Sequence, residues 1–198
     1  MCKSNHEESK IKPIKRCSWC TADPLYIKYH DQEWGVPIFD DRKLFEFLIL
    51  EGAQAGLNWI TILKKREGYR KAFADFDPLK VSTFSKKKKE KLLLNSEIIR
   101  NRLKIDSAVK NAQAFLKIQK EYGSFSTYQW GFIDGVAIKN KWKTSKQIPT
   151  QTIISEKFSH DLKQRGFNFV GPTIMYAYMQ AVGMINDHVT YCFRYNQV

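Results

Sequence analysis

The sequence predicts an all-α domain, and three observations carry that reading. Apolar residues recur at helical spacing over most of the chain. The longest pattern runs from Ile98 to Tyr122, where Ile105, Ala108, Val109, Ala112, Phe115 and Leu116 share a face and Gly123 follows. The stretch from Arg165 to Cys192, RGFNFVGPTIMYAYMQAVGMINDHVTYC, reads as a tight turn between two helices. Alternation suited to a strand is confined to fragments such as Val136 to Ile138.

Residues 1–15 carry no apolar run for a secretory signal, and the Glu7-Glu8 pair argues against a transit peptide; they read as a disordered tail. Residues 16–198 read as a single helical domain, large enough to bury a substantial core. A short helix is expected around Leu25 to His30, after a loop rich in aromatics. Asp40 or Asp41 can cap a helix over Leu44–Leu50, and Gly52 to Trp59 bends the chain before a second helix, Ile60 to Arg66. Asp77-Pro78 starts another segment. Ser85 to Leu94 is a helix whose lysine run reads as a solvated face. Phe125 to Phe132 is a short helix, and Asp134 to Thr150 a loop with a brief extended piece. Ser155 to Gln164 and Thr173 to Val182 flank the turn. The second of these is apolar nearly all round and is expected to be buried.

In that turn, Gly166 suits a left-handed helix C-cap and Pro172 a helix first turn. Glycines there let main-chain N–H groups approach a phosphate, with the next helix pointing its positive end at it. An ordinary helical hairpin with glycine at the bend would look the same. The formal charge of +13 and pI near 9.5 favour an anionic partner, nucleic acid first and an anionic membrane second. No apolar run approaches the ~20 residues of a membrane span.

Four cysteines without an export signal suggest thiols or metal ligands rather than disulfides. His188 and Cys192 stand four apart, a spacing that on a helix turns both towards one metal. Cys17, Cys20 and His30 offer three candidates for the two ligands that would complete a four-coordinate site. Glu51, directly after a buried run and beside glycines, is costly without a partner or a task, though a helix-end glutamate can also reach solvent. Trp59 could equally be core.

Together the segments RCSW, DPLYIKYHDQEWGVP, LEGAQAGLNWITILKKRE, FDP, RGFNFVGPTIMYAYMQAVG and NDHVTYC resemble the bacterial-type 3-methyladenine DNA glycosylase I family, in its order and over Arg16 to Cys192. The resemblance implies a helix-hairpin-helix glycosylase that flips 3-methyladenine out of alkylated DNA and hydrolyses its glycosidic bond. It implies one structural zinc on Cys17, His30, His188 and Cys192, joining the N- and C-terminal segments and leaving Cys20 outside. Carried over, Glu51 is the catalytic and base-recognising residue and Tyr29 contacts the base. Trp59 and Trp19 wall the pocket, with Tyr26 nearby. Leu57 beside Gly56 resembles the plug that fills the duplex, and the turn with Gly166, Val170 and Gly171 would hold the DNA backbone. Pro172 and Thr173 stand where bifunctional relatives of the wider group place a lysine, which implies hydrolysis without strand cleavage. Asp187, next to a predicted ligand, reads as structural. The expected setting is a cytoplasmic monomer acting on double-stranded DNA with alkylated bases, releasing free 3-methyladenine.

Overall fold

A computed structural model describes residues 14–198. The expected tail, 1–15, lies outside them except for its last two positions, where the Lys15 carbonyl accepts a hydrogen bond from the Phe193 amide at 3.0 Å. The helices are α1 (Pro24–Gln32), α2 (Asp41–Gln54), α3 (Trp59–Ala72), α4 (Pro78–Ser82), α5 (Lys86–Leu94), α6 (Arg102–Tyr122), α7 (Phe125–Trp130), α8 (Ile153–Gln164) and α9 (Pro172–Ala181). Two-residue strands, β1 (Ile138–Lys139) and β2 (Ile185–Asn186), pair in parallel, with Ile138 opposite Ile185.

Helix α2 is central. Leu44, Phe45, Phe47, Leu48 and Leu50 are all buried, with α9, α3, α6 and α7 around it. Its two candidate caps do different work. Asp40 accepts from the Lys43 amide and caps α2 itself. Asp41 reaches across to accept from the Phe125 and Ser126 amides at 2.8 and 2.9 Å, capping α7, and from Gln119. The helix runs past the apolar stretch to Gln54, so the bend comes at Ala55 rather than at Gly52.

Glu46, buried on α2, accepts from Arg66 Nε (2.7 Å) and Arg70 Nη2 (3.0 Å), while Arg66 Nη1 donates to Glu33 at the end of α1 (2.7 Å). Burial alone would raise the Glu46 carboxyl, but Arg66, Lys43 and Arg70 hold it below its usual value. This network cross-links α1, α2 and α3. As expected, the α5 lysines are mostly at the surface: Lys89 pairs with Asp106 at 2.6 Å and Lys88 lies over Phe84.

Helix α8 ends in a turn where Gly166 is left-handed (φ 93°) and the Phe167 amide bonds back to the Leu162 carbonyl. Helix α9 then packs against α8. It is not buried all round: Thr173 is exposed and Ile174, Ala177 and Gln180 are half-buried, an open face with a purpose described below. Gly183, at φ 73°, lies so close to the Val36 carbonyl that any Cβ would clash, which seats the 34–38 segment against the end of α9.

Candidate base-binding cavity and metal centre

Glu51 sits in the last turn of α2, 4% exposed, and faces a cavity of about 430 Å³. Helix α1 brings Tyr26 and Tyr29 to this cavity, the preceding loop Trp19, the following turn Trp34, and the first residue of α3 Trp59. The rings brace one another. Trp19 meets Trp34 edge-on at 4.9 Å and Tyr26 at 5.8 Å, and Tyr29 tilts against Trp59 at 5.4 Å. The Tyr26 hydroxyl accepts from the Ile60 amide, fixing the start of α3. Burial alone pushes the Glu51 carboxyl up to about 8, and no donor among the described residues bonds it. The Tyr29 hydroxyl is raised too, first by burial and then by the neighbouring Glu51 and Glu33 charges. Trp59 Nε1 is buried without an acceptor. A cavity with an unpartnered carboxyl, walled by electron-rich rings, suits a flat cationic ligand with polar edges.

Sequence reasoning missed several lining residues: Trp34, Gln54, Ser145, Ile148, Ala177 and Gln180. Ala177 and Gln180 are the open face of α9. A lone amide in that apolar run was the one available signal for Gln180. Its Nε2 donates to Asp187 Oδ2 at 2.7 Å. Asp187, fully buried, also accepts from Asn140, Trp142 and Tyr176, and so ties the 140–142 loop to α9.

Leu57 and Gly56 are exposed on the turn between α2 and α3, and Gly56 is left-handed (φ 77°). The 165–171 turn lies beside α2: a Cβ on Gly52 would come within 3.4 Å of Phe169 Cβ. In that turn Val170 is buried, with its carbonyl accepting from Ser159 Oγ. The Gly166 amide is used by the α8 cap, whereas the Val170 and Gly171 amides have no acceptor among the described residues.

The four expected ligands, Cys17, His30, His188 and Cys192, are all buried, and one ligand atom of each lies within 4.8 Å of the others. The expected helical spacing of His188 and Cys192 is wrong: residues 187–192 follow β2 as an irregular loop and turn, and the turn, not a helix face, brings the two together. Sulfur–nitrogen separations of 3.4–3.5 Å match the edges of a tetrahedron with metal bonds of roughly 2.0–2.3 Å. In each ring one nitrogen is hydrogen-bonded outside the cluster, and the other, His30 Nε2 or His188 Nδ1, faces the thiols. His30 Nδ1 donates to Asp31 at 2.7 Å, and Arg16 pairs with that carboxylate; His188 Nε2 donates to the Trp34 carbonyl at 3.1 Å. The neighbouring Cys192 sulfur and burial hold the Cys17 thiol up, while Cys17, His188 and His30 hold the Cys192 thiol down. Cys20 stands apart, half-buried, and its thiol points to the Thr21 carbonyl.

Comparison with known proteins identifies the family. The methyladenine glycosylase family model matches residues 19–195. The DNA-3-methyladenine glycosylase 1 of Escherichia coli K12 is 48% identical over 182 residues, covering 92% of this chain and 97% of that protein. A crystal structure of a 3-methyladenine DNA glycosylase I is 50% identical and superposes with a TM-score of 0.89, over 90% of this chain and 98% of that one. The Staphylococcus aureus enzyme, from a study of 3-methyladenine recognition, is 38% identical with a TM-score of 0.88, over 90% of this chain and 95% of that one. With its family model spanning nearly all of the described residues, this chain belongs to the methyladenine glycosylase family.

Proposed function

We propose that this protein removes 3-methyladenine from alkylated duplex DNA by flipping the base into the cavity beside Glu51 and hydrolysing its bond to the sugar. The observation that carries the reading is the unpartnered carboxyl of Glu51 among the rings of Trp19, Trp34, Trp59 and Tyr29. Adenine methylated at N3 is a cation while joined to deoxyribose. Stacking on indole faces is worth roughly 1–3 kcal/mol per base, which offsets much of the few kcal/mol that extrusion costs. Glu51, ionised once the cation enters, accepts hydrogen bonds from the adenine amino edge and opposes the positive charge. Tyr29 bears on the same edge and Tyr26 holds the wall in place.

The charge also explains why little further machinery is needed. When the C1′–N9 bond breaks, the electron pair goes to the base, which departs neutral and needs no proton. Water supplies hydroxyl to C1′ and its remaining proton goes to solvent. Leu57 on the Gly56 turn would fill the space left in the duplex. The α8–turn–α9 unit, read as a helix-hairpin-helix, would hold the backbone through the amides near Val170 and Gly171, with Gly166 shaping the turn. No lysine lies at Pro172 or Thr173 to attack the sugar, so the strand stays intact.

The donor set and its geometry favour one structural zinc, held by Cys17, His30, His188 and Cys192. With four side-chain ligands its shell is closed, and its task is to fix the loops that carry Trp19 and Trp34. The protein is read as a monomer working where DNA is, with no helix among the described residues long and apolar enough to cross a membrane.

The test is to incubate the protein with methylated duplex, identify the bases set free, and add borohydride to a parallel reaction. Free 3-methyladenine with an intact abasic strand and no trapped adduct is expected. No released base, or a covalent protein–DNA adduct, would refute the reading.

A further inference from the structure

Helix α6 is the longest helix and contributes nothing to the cavity, yet it touches both elements assigned to the duplex. Lys104 Nζ donates to the carbonyls of Ala53 and Ala55, each at 2.8 Å, at the point where α2 ends and the Leu57 turn begins. Helix α2 has no basic residue in its own last turn, so its negative end is met by this ammonium from another helix. Seven residues on, Asn111 makes a two-pronged clamp on the other element. Its Nδ2 donates to the Asn168 carbonyl at 2.9 Å and its Oδ1 accepts from the Asn168 amide at 2.8 Å. The next residue, Phe169, holds the left-handed φ of 56° that side chains rarely adopt, and the clamp over-determines it.

Positions 104 and 111 fall on the same face of a helix, about 10 Å apart along its axis. That is roughly three base-pair rises of duplex. We propose that Lys104 and Asn111 are positioning residues. Helix α6 acts as a spacer that holds the plug turn and the backbone-holding turn in fixed register, so that both engage one stretch of DNA at once. The inference rests on the glycosylase reading above and adds the registration of its two DNA contacts.

The experiment uses the full chain with Lys104→Met, which keeps the aliphatic stem, and Lys104→Arg, whose guanidinium can still meet both carbonyls. Three quantities are measured: the single-turnover rate of base release from alkylated duplex, the affinity for free 3-methyladenine from quenching of the cavity tryptophans, and the salt dependence of binding to unmodified duplex. Lys104→Met should slow release at least tenfold, leave free-base affinity within twofold and leave the salt slope unchanged, with Lys104→Arg recovering most of the rate. Asn111→Ala should slow release in the same way, again with free-base affinity retained. Release within twofold of the parent for Lys104→Met overturns the proposal. So does a salt slope reduced by about 0.9, the signature of a lysine that meets a phosphate directly. A parent protein that releases no base refutes the glycosylase reading instead, and the two failures are told apart by that control.

Discussion

Glu51 shows how one residue can be both a cost and a tool. Its carboxyl is moved from an ordinary 4.5 to about 8 by burial, so the folded protein holds a proton that the unfolded chain has lost between those values. Folded protein therefore binds more protons than unfolded across that window, and stability falls as pH rises through it. Glu51→Gln removes the effect. The variant should be more stable than the parent at pH 8 by roughly 2–5 kcal/mol, with the gap closing near pH 4.5, in denaturant titrations at both pH values. A gap that does not change with pH would mean that the carboxyl is already ionised in the empty cavity. Glu51 was visible in the sequence because a carboxylate closing a buried run is anomalous on its face. Trp34 and Gln180 were not, because periodicity says which residues are buried and not which buried residues border a hole.

At the scale of elements, caps decide where helices begin and who their neighbours are. The sequence offered Asp40 and Asp41 as alternatives for one cap. The fold uses both, because a side chain one position into α2 points away from its own amides and towards those of α7. Asp41→Ala leaves the Phe125 and Ser126 amides and Gln119 without their partner and should cost about 2–3 kcal/mol, twice or more the ~1 kcal/mol of Asp40→Ala. Thermal melts check this: roughly 5–10 °C for Asp41→Ala and a few degrees for Asp40→Ala. Equal losses would contradict the division of labour. Helix identities were legible from spacing, and the turn at Gly166 from its glycine. The irregular loop between His188 and Cys192 was not legible, since a four-residue gap fits a helix and a turn equally well. Cross-chain partners such as Lys104 with Ala53 leave no local trace at all.

At the scale of the whole molecule, the cysteine–histidine cluster joins residues 171 apart in sequence. Closing a loop of that size costs about 5 kcal/mol of chain entropy, which the roughly 10–16 kcal/mol of a structural zinc would offset two to three times over. Elemental analysis should find one zinc per chain, retained in Cys20→Ser and lost or halved in His30→Ala. Chelation should lower the melting temperature and, because Trp34 packs on His188 at 4.6 Å, weaken free-base binding as well. Full zinc content in the His30 variant would overturn the ligand set. The cavity likewise draws its walls from distant parts of the chain, Trp19 and Trp34 from one and Ala177 and Gln180 from the other.

The most direct measurement sets duplex binding against base release in one variant. Glu51→Ala should bind alkylated duplex within a few-fold of the parent, since the backbone contacts are untouched, while its release of 3-methyladenine falls by at least 100-fold, about 3 kcal/mol of transition-state stabilisation. Release at the parental rate would contradict the claim that the buried carboxyl in its aromatic cavity draws the charged base from its sugar.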